Sequence, residues 1–354
     1  MERPNESLKI LNMFTHPVFI VTDGVITEVN HAAEAKGFLA GAPVFDFLDD
    51  TLHEYENFKG GYLSLTVKKD GASYLATVVP SENGNAFHLR TSAMGAEFRT
   101  MALIAQQLRG PLSGVMNAAD SLIPMAADSG DPDKASQAAQ MNRNLYQLLR
   151  QISNLSAVQH ITDGRCYNQV HQITGLIDEV MANAKIYTQQ SKRTLEFTGL
   201  YEDIQCLADS DLIERALYNL VSNAVKFSPE ESVVSAKLTR SGNKLRFSIS
   251  NLITPDTDRN NLFARFMREP GIEDGRYGIG LGLPLIQHVA AAHGGSLLMD
   301  LPEKNKVRFT LTLPIRQNTD GVLRTPVITF DYLGGYNHAL VELSDILSDE
   351  LYSD

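Results

Sequence analysis

The fold predicted for this chain rests on the segment Asn219-Leu220-Val221-Ser222-Asn223-Ala224-Val225-Lys226-Phe227-Ser228. It continues a helical pattern that begins near Asp211. Asn219 and Asn223 are four residues apart and Lys226 follows three residues later, so all three side chains share one helix face. Amide oxygens and an ammonium group suit a hydrated magnesium ion and a polyphosphate. The segment therefore predicts a phosphate site on a helix.

A glycine-rich segment about fifty residues downstream complements this helix. It reads Gly278-Ile279-Gly280-Leu281-Gly282-Leu283 and opens another apolar helical pattern. Alternate glycines before a helix let backbone N–H groups approach a phosphate, and the helix N-terminus adds positive potential. We therefore predict that the two segments form one nucleotide pocket.

Size and charge limit the classes of protein to consider. The chain has 354 residues, 43% of them hydrophobic, and a net charge of −11, which argues against nucleic acid or an anionic membrane as partner. Cys166 and Cys206 are far apart in sequence and predict reduced thiols rather than a disulfide framework. The start of the chain does not resemble a signal segment, and no window approaches the roughly 18 apolar residues of a membrane helix. We expect a soluble, cytoplasmic protein.

Residues 1–90 have an α+β pattern. A tight Asp23-Gly24 turn joins the first two predicted strands, and a short, partly helical region separates them from three more strands. The predicted strands cover residues 18–21, 25–29, 62–67, 73–79 and 86–89. This order resembles the PAS sensor fold, whose ligand the sequence does not reveal.

Residues 91–162 predict a helical hairpin. Asp131 and Pro132 supply an N-cap and a first helical residue for the second helix. The apolar stripes that we expect to be buried are Phe98, Met101, Ala105, Leu108, Leu112, Val115, Ala119 and Leu122 in the first helix, and Met141, Leu145, Leu148, Ile152 and Leu155 in the second. A single hairpin buries such stripes poorly, so two copies are expected to form a four-helix bundle and hence a homodimer.

Residues 163–316 alternate helical and strand patterns, which predicts an α/β sandwich. Residues 317–354 form an acidic C-terminal tail in which 327–330 are a candidate strand. Residues 339–351 carry apolar side chains spaced for one helix face. Such a tail is usually solvated, but its apolar stripe would also fit a basic or hydrophobic groove.

The order of these parts resembles a cytoplasmic bacterial sensor histidine kinase. The domain at 163–316 is similar to the ATPase domain shared by histidine kinases, DNA gyrase and heat-shock chaperones, with an N box at 219–228 and an F box at 262–268. The resemblance implies ATP and Mg²⁺ as cofactors. It implies Asn223 as the magnesium ligand, supported by Asn219, with Lys226 at a phosphate and Phe227 beside the adenine. Gly278, Gly280, Gly282 and Leu283 would line the triphosphate, with residues 267–277 as a lid.

Two departures from the family pattern concern chemistry. The family places Asp-x-Gly-x-Gly after a strand, and its Asp accepts from the adenine amino group. Here Asn251 stands in place of that Asp, and both glycines are absent. Because an amide lacks the charge of a carboxylate, the adenine contact is expected to be weaker.

The second departure lies in the first hairpin helix. The family reads His-Glu/Asp-x-x-Thr/Asn-Pro-Leu, whereas this chain reads Gln106-Gln107-Leu108-Arg109-Gly110-Pro111-Leu112. Gln106 occupies the phosphoacceptor position, and a carboxamide nitrogen is not a nucleophile like imidazole. Gln107 replaces the acidic residue that would take the proton, and Gly110 replaces the residue that orients water.

We therefore expect a member of the sensor histidine kinase family of two-component signal transduction that does not phosphorylate itself. Such a pseudokinase would act through ATP-modulated or constitutive protein contact. The expected partners are a second copy through residues 91–162 and a response regulator or another histidine kinase. Two alternatives stay open. One is a kinase or ATPase acting in trans, with Glu214 as the candidate base, and the other is a nucleotide-free dimeric scaffold.

Overall fold

A single sheet of ten strands runs through most of the described chain. The computed structural model describes residues 6–91, 96–128, 130–253, 281–316 and 331–353. The strands of the ten-stranded sheet follow the order β2-β1-β5-β4-β3-β11-β12-β10-β9-β7, and β6 pairs with β8 in a separate small sheet. All neighbouring strands are antiparallel except β7 and β9.

The strands are β1 Val18–Thr22, β2 Val25–Val29, β3 Tyr62–Lys69, β4 Ala72–Ser81, β5 Gly84–Thr91, β6 Gln169–Gln172, β7 Thr194–Thr198, β8 Gln205–Ala208, β9 Val233–Ser241, β10 Lys244–Leu252, β11 Ser296–Glu303 and β12 Lys306–Pro314. The helices are α1 Glu6–Leu11, α2 His31–Glu34, α3 Leu52–Glu56, α4 Ala96–Ala127, α5 Pro132–Thr162, α6 Ile173–Thr188, α7 Ser210–Lys226, α8 Gly282–Ala292 and α9 His338–Glu342. Short 3₁₀ turns lie at Val44–Phe47, Gln189–Ser191 and Asp349–Tyr352.

The N-terminal region, residues 6–91, has the five predicted strands and small helices between β2 and β3. Its turn at Asp23-Gly24 is confirmed, and both residues have positive φ, as a tight hairpin requires. Phe19 stacks between Phe38 and Phe87 with ring centroids 5.1 and 5.0 Å away. These rings fill the centre of a separate core cluster.

The N-terminal region joins residues 163–316, called the ATPase region here after the resemblance given above, through strand pairing. β3 pairs with β11 over three residue pairs, among them Leu63 with Leu298. Gly61 precedes β3 with φ +89°, and a Cβ there would lie 2.2 Å from the carbonyl oxygen of Met299. Lys244 Nζ reinforces the junction by donating to Glu54 Oε2 at 2.6 Å. Each strand therefore covers what would otherwise be an open sheet edge.

Helices α4 and α5 pack against each other as the predicted hairpin. The side chain of Asp131 caps α5 by accepting from the backbone N–H groups of Asp133 and Lys134. The predicted stripes are buried only in part. Ala105, Leu112, Ala119, Ile152 and Leu155 are buried, whereas Leu108, Val115, Leu122, Met141 and Leu148 are 45–58% exposed.

The ATPase region places α6, α7 and α8 against its strands, and its core is continuous with that of the hairpin. The sequence did not predict the small β6–β8 sheet. Both cysteines are free thiols, Cys206 being buried. Among the described residues, no helix has the length and apolar character needed to cross a membrane.

The described part of the C-terminal tail, residues 331–353, is docked rather than solvated. Instead of one helix over 339–351, the chain forms α9, which ends at Glu342, and then a 3₁₀ turn at Asp349–Tyr352. Helix α9 packs against α5, α6 and α7, and the 3₁₀ turn packs against α5. The candidate strand at 327–330 lies outside the described residues.

Candidate nucleotide-binding site

Helix α7 carries most of the motif at residues 219–228, on which the fold prediction rests. Asp209 caps it, with its Oδ1 accepting from Leu212 N at 3.2 Å and its Oδ2 from Tyr167 N at 2.8 Å. Apolar residues on the opposite face are buried, so the helix is fixed in rotation about its axis. It ends at Lys226, and Phe227 follows as the half-buried C-cap residue.

The two motifs predicted to meet do meet at their described residues. A Cβ on Gly282 would lie 3.0 Å from Asn219 Oδ1 and 3.8 Å from Asn223 Nδ2. Glycine therefore allows the start of α8 to approach both amides. Leu283 follows in the first turn of α8 and is half-buried. Gly278 and Gly280, the predicted lid at 267–277 and the F box at 262–268 lie outside the described residues.

The two asparagines have different surroundings. Asn219 is 2% exposed, and its Nδ2 donates to Arg215 O at 2.8 Å while its Oδ1 accepts from Arg150 Nη2 at 3.0 Å. Asn223 is only half-buried, and its side chain makes no hydrogen bond with another described residue. Asn219 is thus held in place, whereas the amide oxygen of Asn223 suits a magnesium ligand.

Lys226 meets a carboxylate of the C-terminal segment, which we define as residues 331–353. Its Nζ lies 3.6 Å from Asp345 Oδ2, with 32% of the lysine side chain exposed. Asp345 Oδ2 also lies 2.9 Å from Arg150 Nη1. The position at which the family resemblance places a phosphate therefore borders an acidic side chain of the same chain.

A buried carboxylate completes this charge cluster. Glu342 is fully buried, and its Oε2 lies 3.5 Å from Arg150 Nε. Burial raises the pKa of Glu342, opposed by the nearby charges of Arg215 and Arg150. Within the described part of the chain, Arg150 Nε and both Glu342 oxygens are buried without a hydrogen-bond partner, whereas Arg150 Nη1 has Asp345 Oδ2 at 2.9 Å. The charges are close together but incompletely hydrogen-bonded.

The candidate base Glu214 is also engaged by the C-terminal segment. His338 Nδ1 lies 3.0 Å from Glu214 Oε2, and His338 Nε2 lies 2.9 Å from Asp331 Oδ1. Burial alone would lower the pKa of His338, but hydrogen bonds and charges from Glu214 and Asp331 outweigh it and raise the pKa to about 9. Arg215 stacks over the Tyr332 ring, with its Cζ 3.6 Å from the centroid.

The position replacing the adenine-binding Asp lies at the end of β10. Asn251 is 2% exposed, and its Nδ2 donates to Leu252 O at 2.8 Å. Ile253, just beyond it, is also buried. The Asn251 amide thus uses one donor on its own strand end.

The altered motif in α4 faces outward. Gln106, Gln107 and Gly110 are exposed, and a Cβ on Gly110 would meet nothing within 4 Å. Arg109, in the same motif, donates from Nη2 to Tyr332 O in the C-terminal segment. Gln106 forms no hydrogen bond with another described residue, and the motif connects to α7 only indirectly, because Arg215 of α7 lies over the Tyr332 ring.

The sequence did not predict the contacts of α7, including its Arg215, with the residues packed over this helix, namely Arg150, Tyr332, His338, Glu342 and Asp345. One signal was available, because Arg150 stands among apolar residues of α5 and the C-terminal segment is acidic with an apolar stripe. The complementary charges indicate a contact, but the sequence alone does not pair them.

Comparison with known proteins bears on the ATPase region. Residues 208–317 match the family model "Histidine kinase-, DNA gyrase B-, and HSP90-like ATPase". This part of the chain is thus similar to that ATPase family. The match covers α7, α8 and the strands between them, which are the elements of the site described above. Members of the family bind ATP with Mg²⁺.

The similar curated proteins are sensor histidine kinases. Sensor-like histidine kinase SenX3 of Mycolicibacterium smegmatis is 26% identical over 235 residues, 64% of this chain and 59% of the relative. Adaptive-response sensory kinase SasA of Nostoc sp. is 28% identical over 235 residues, 61% of this chain and 57% of the relative. The chain thus spans less than two thirds of the length of these relatives.

Solved structures of histidine kinases are similar as well. The catalytic domain of histidine kinase ThkA is 25% identical and covers 42% of this chain and 96% of its own, with a TM-score of 0.37. Histidine kinase ThkA in complex with response regulator protein TrrA is 18% identical and covers 87% and 98%, with a TM-score of 0.36.

Proposed function

We propose that this chain is a sensor histidine kinase family protein of two-component signalling that does not phosphorylate itself. The observation that carries the proposal is the contrast between two sites. The α7 site keeps Asn223, Asn219 and Gly282 in one place. The exposed face of α4 offers Gln106, Gln107 and Gly110 at the positions of the acceptor, the acid–base residue and the water-orienting residue. Nucleotide binding is thus supported, and phosphate acceptance is not.

The output of such a protein is contact with other proteins, modulated by ATP and Mg²⁺ or constitutive. Residues 6–91 would form a PAS-like sensor domain, joined to the ATPase region through the β3–β11 pairing. The hairpin would form a homodimer, because Leu108, Val115 and Leu122 repeat every seven residues and stay about half exposed in one copy. A response regulator or a genuine histidine kinase is the expected further partner, and the cytoplasm the expected location.

A nucleotide-free scaffold is the second candidate. It is favoured by the contact of Asp345 with Lys226 and by Asn251 at the adenine position. A kinase or ATPase acting in trans would need the Glu214 carboxylate as a base. In the described arrangement His338 holds that carboxylate.

Incubation of the pure protein with γ-labelled ATP tests the proposal. We expect no acid-labile, base-stable phosphate on the chain. Gln106→His is the matched variant, and label on this variant alone would show that the missing nucleophile limits the reaction. Robust acid-labile label on the unmodified chain would overturn the proposal. Calorimetric titrations of the unmodified chain and of Asn223→Ala with Mg²⁺-ATP distinguish ATP-modulated contact from the nucleotide-free scaffold. Only the former predicts nucleotide binding that Asn223→Ala weakens.

A further inference from the structure

The C-terminal segment (residues 331–353) is built into the core of the molecule. Val341, Leu343, Leu347 and Tyr352 are at most 2% exposed. Asn142 Nδ2 on α5 donates to Tyr352 O at 2.9 Å, and Tyr352 Oη donates to Leu340 O at 2.7 Å. The segment therefore occupies a defined groove between α5 and α7, held chiefly by apolar burial.

The segment carries negative charge into a groove lined with cations. It has five acidic residues and neither Lys nor Arg. Arg143, Arg150 and Lys226 each form an ion pair with one of its carboxylates. Two of these cations, Arg150 and Lys226, flank Asn219 on the same side of α7. The groove thus presents positive charge and amide groups next to the start of α8.

The carboxylates satisfy these cations incompletely. Among the described residues, buried Arg150 keeps Nε without a hydrogen bond, and both oxygens of Glu342 also lack one. A buried charge without hydrogen bonds is costly, even beside an opposite charge. A polyphosphate carries more negative charge and more acceptor oxygens than a single carboxylate, and guanidinium and ammonium groups bind phosphates as well as carboxylates. The cation cluster therefore also suits a phosphate chain.

We propose that the C-terminal segment is a built-in competitor of nucleotide phosphates. Asp345 stands at Lys226 and Arg150, where a phosphate would bind, so nucleotide binding and docking of the segment exclude each other. The inference rests on the proposed function only in taking the α7 site as a nucleotide site. It adds how that site is regulated.

The competition would also control how the hairpin is held. The segment bonds to three helices. Tyr332 O accepts from Arg109 of α4, and Asp349 accepts from Arg143 of α5. His338 bonds to Glu214 of α7. Displacement of the segment removes all these ties together. Because linkage is reciprocal, any partner that draws the segment away would raise nucleotide affinity by the same factor by which nucleotide favours that partner.

Two matched substitutions in the full chain test the proposal. Asp345→Asn removes the carboxylate that contacts Lys226, whereas Glu350→Gln alters an exposed carboxylate of the same segment that forms no ion pair with another described residue. In calorimetric titrations with Mg²⁺-ATP we expect roughly fivefold tighter binding to Asp345→Asn and unchanged binding to Glu350→Gln. Saturating Mg²⁺-ATP should also increase hydrogen exchange at the amides of Val341 and Leu343.

The outcomes separate this inference from the proposed function. Equal affinity of all three proteins, with unchanged exchange in the segment, overturns the competition and leaves the proposed function intact. Acid-labile phosphate on the chain overturns the proposed function, whereas tighter binding to Asp345→Asn would still support the competition. Failure of all three proteins to bind Mg²⁺-ATP overturns the inference and favours the nucleotide-free scaffold.

Discussion

His338 lies between the carboxylates of Glu214 and Asp331, and its protonation makes the stability of the docked C-terminal segment depend on pH. A pKa of about 9, against 6.5 for an ordinary His, means that protonated His338 stabilises the docked form. The shift corresponds to at most about 3 kcal/mol. Because 27% of the His338 side chain and 40% of the Asp331 side chain are exposed, solvent screening reduces this to about 1–2 kcal/mol. This stabilisation is complete below pH 6.5 and is lost as the pH rises through 9.

His338→Gln should therefore weaken docking at low pH and matter little at high pH. We expect protection of the Leu343 and Ser344 amides against hydrogen exchange to fall about tenfold at pH 6 and only about twofold at pH 8.5, relative to the unmodified chain. His31→Gln is the control, because His31 pairs with Glu34 while 85% exposed and should leave this protection unchanged. Equal losses at both pH values, or no loss at pH 6, would refute the reasoning.

Three further predictions concern other parts of the molecule. Gly61→Ala should lower the free energy of unfolding by about 1–3 kcal/mol, because its Cβ would lie 2.2 Å from Met299 O. It should also speed hydrogen exchange at the backbone amides of β11, and unchanged exchange there would contradict the pairing of β3 with β11. Leu122→Glu should convert a dimer to a monomer in light scattering, whereas Ser136→Glu, an exposed position outside the stripe, should not. Asn251→Asp should tighten Mg²⁺-ATP binding several-fold in calorimetry by restoring a charged acceptor, and unchanged affinity would remove Asn251 from the site.

Local sequence patterns predicted most of the elements because local physics determines them. Asp131 followed by Pro132 marks the start of α5, and Asp23-Gly24 marks the first hairpin turn. The approach of Gly282 to Asn219 was expected from the pairing of two motifs, and the geometry bears it out.

Contacts between distant segments were not predictable in the same way. The pairing of β3 with β11 depends on edges that a period-two pattern does not identify, and only Gly61 hints at a close approach. The docking of the C-terminal segment depends on Arg150, whose partners Glu342 and Asp345 lie almost 200 residues away. The apolar periodicity of residues 339–351 predicted one longer helix, because such a pattern does not show how the chain must turn to pack against α5 and α7.

The central claim is that the α7 site is retained without a phosphate acceptor on the chain. The most direct test incubates the purified protein with Mg²⁺ and γ-labelled ATP and then measures how much of the label is in ATP, in free phosphate and in phosphoprotein. We expect essentially all the label to stay in ATP. Label on the chain as acid-labile phosphate would contradict the claim, and release of free phosphate abolished by Asn223→Ala would establish an ATPase instead.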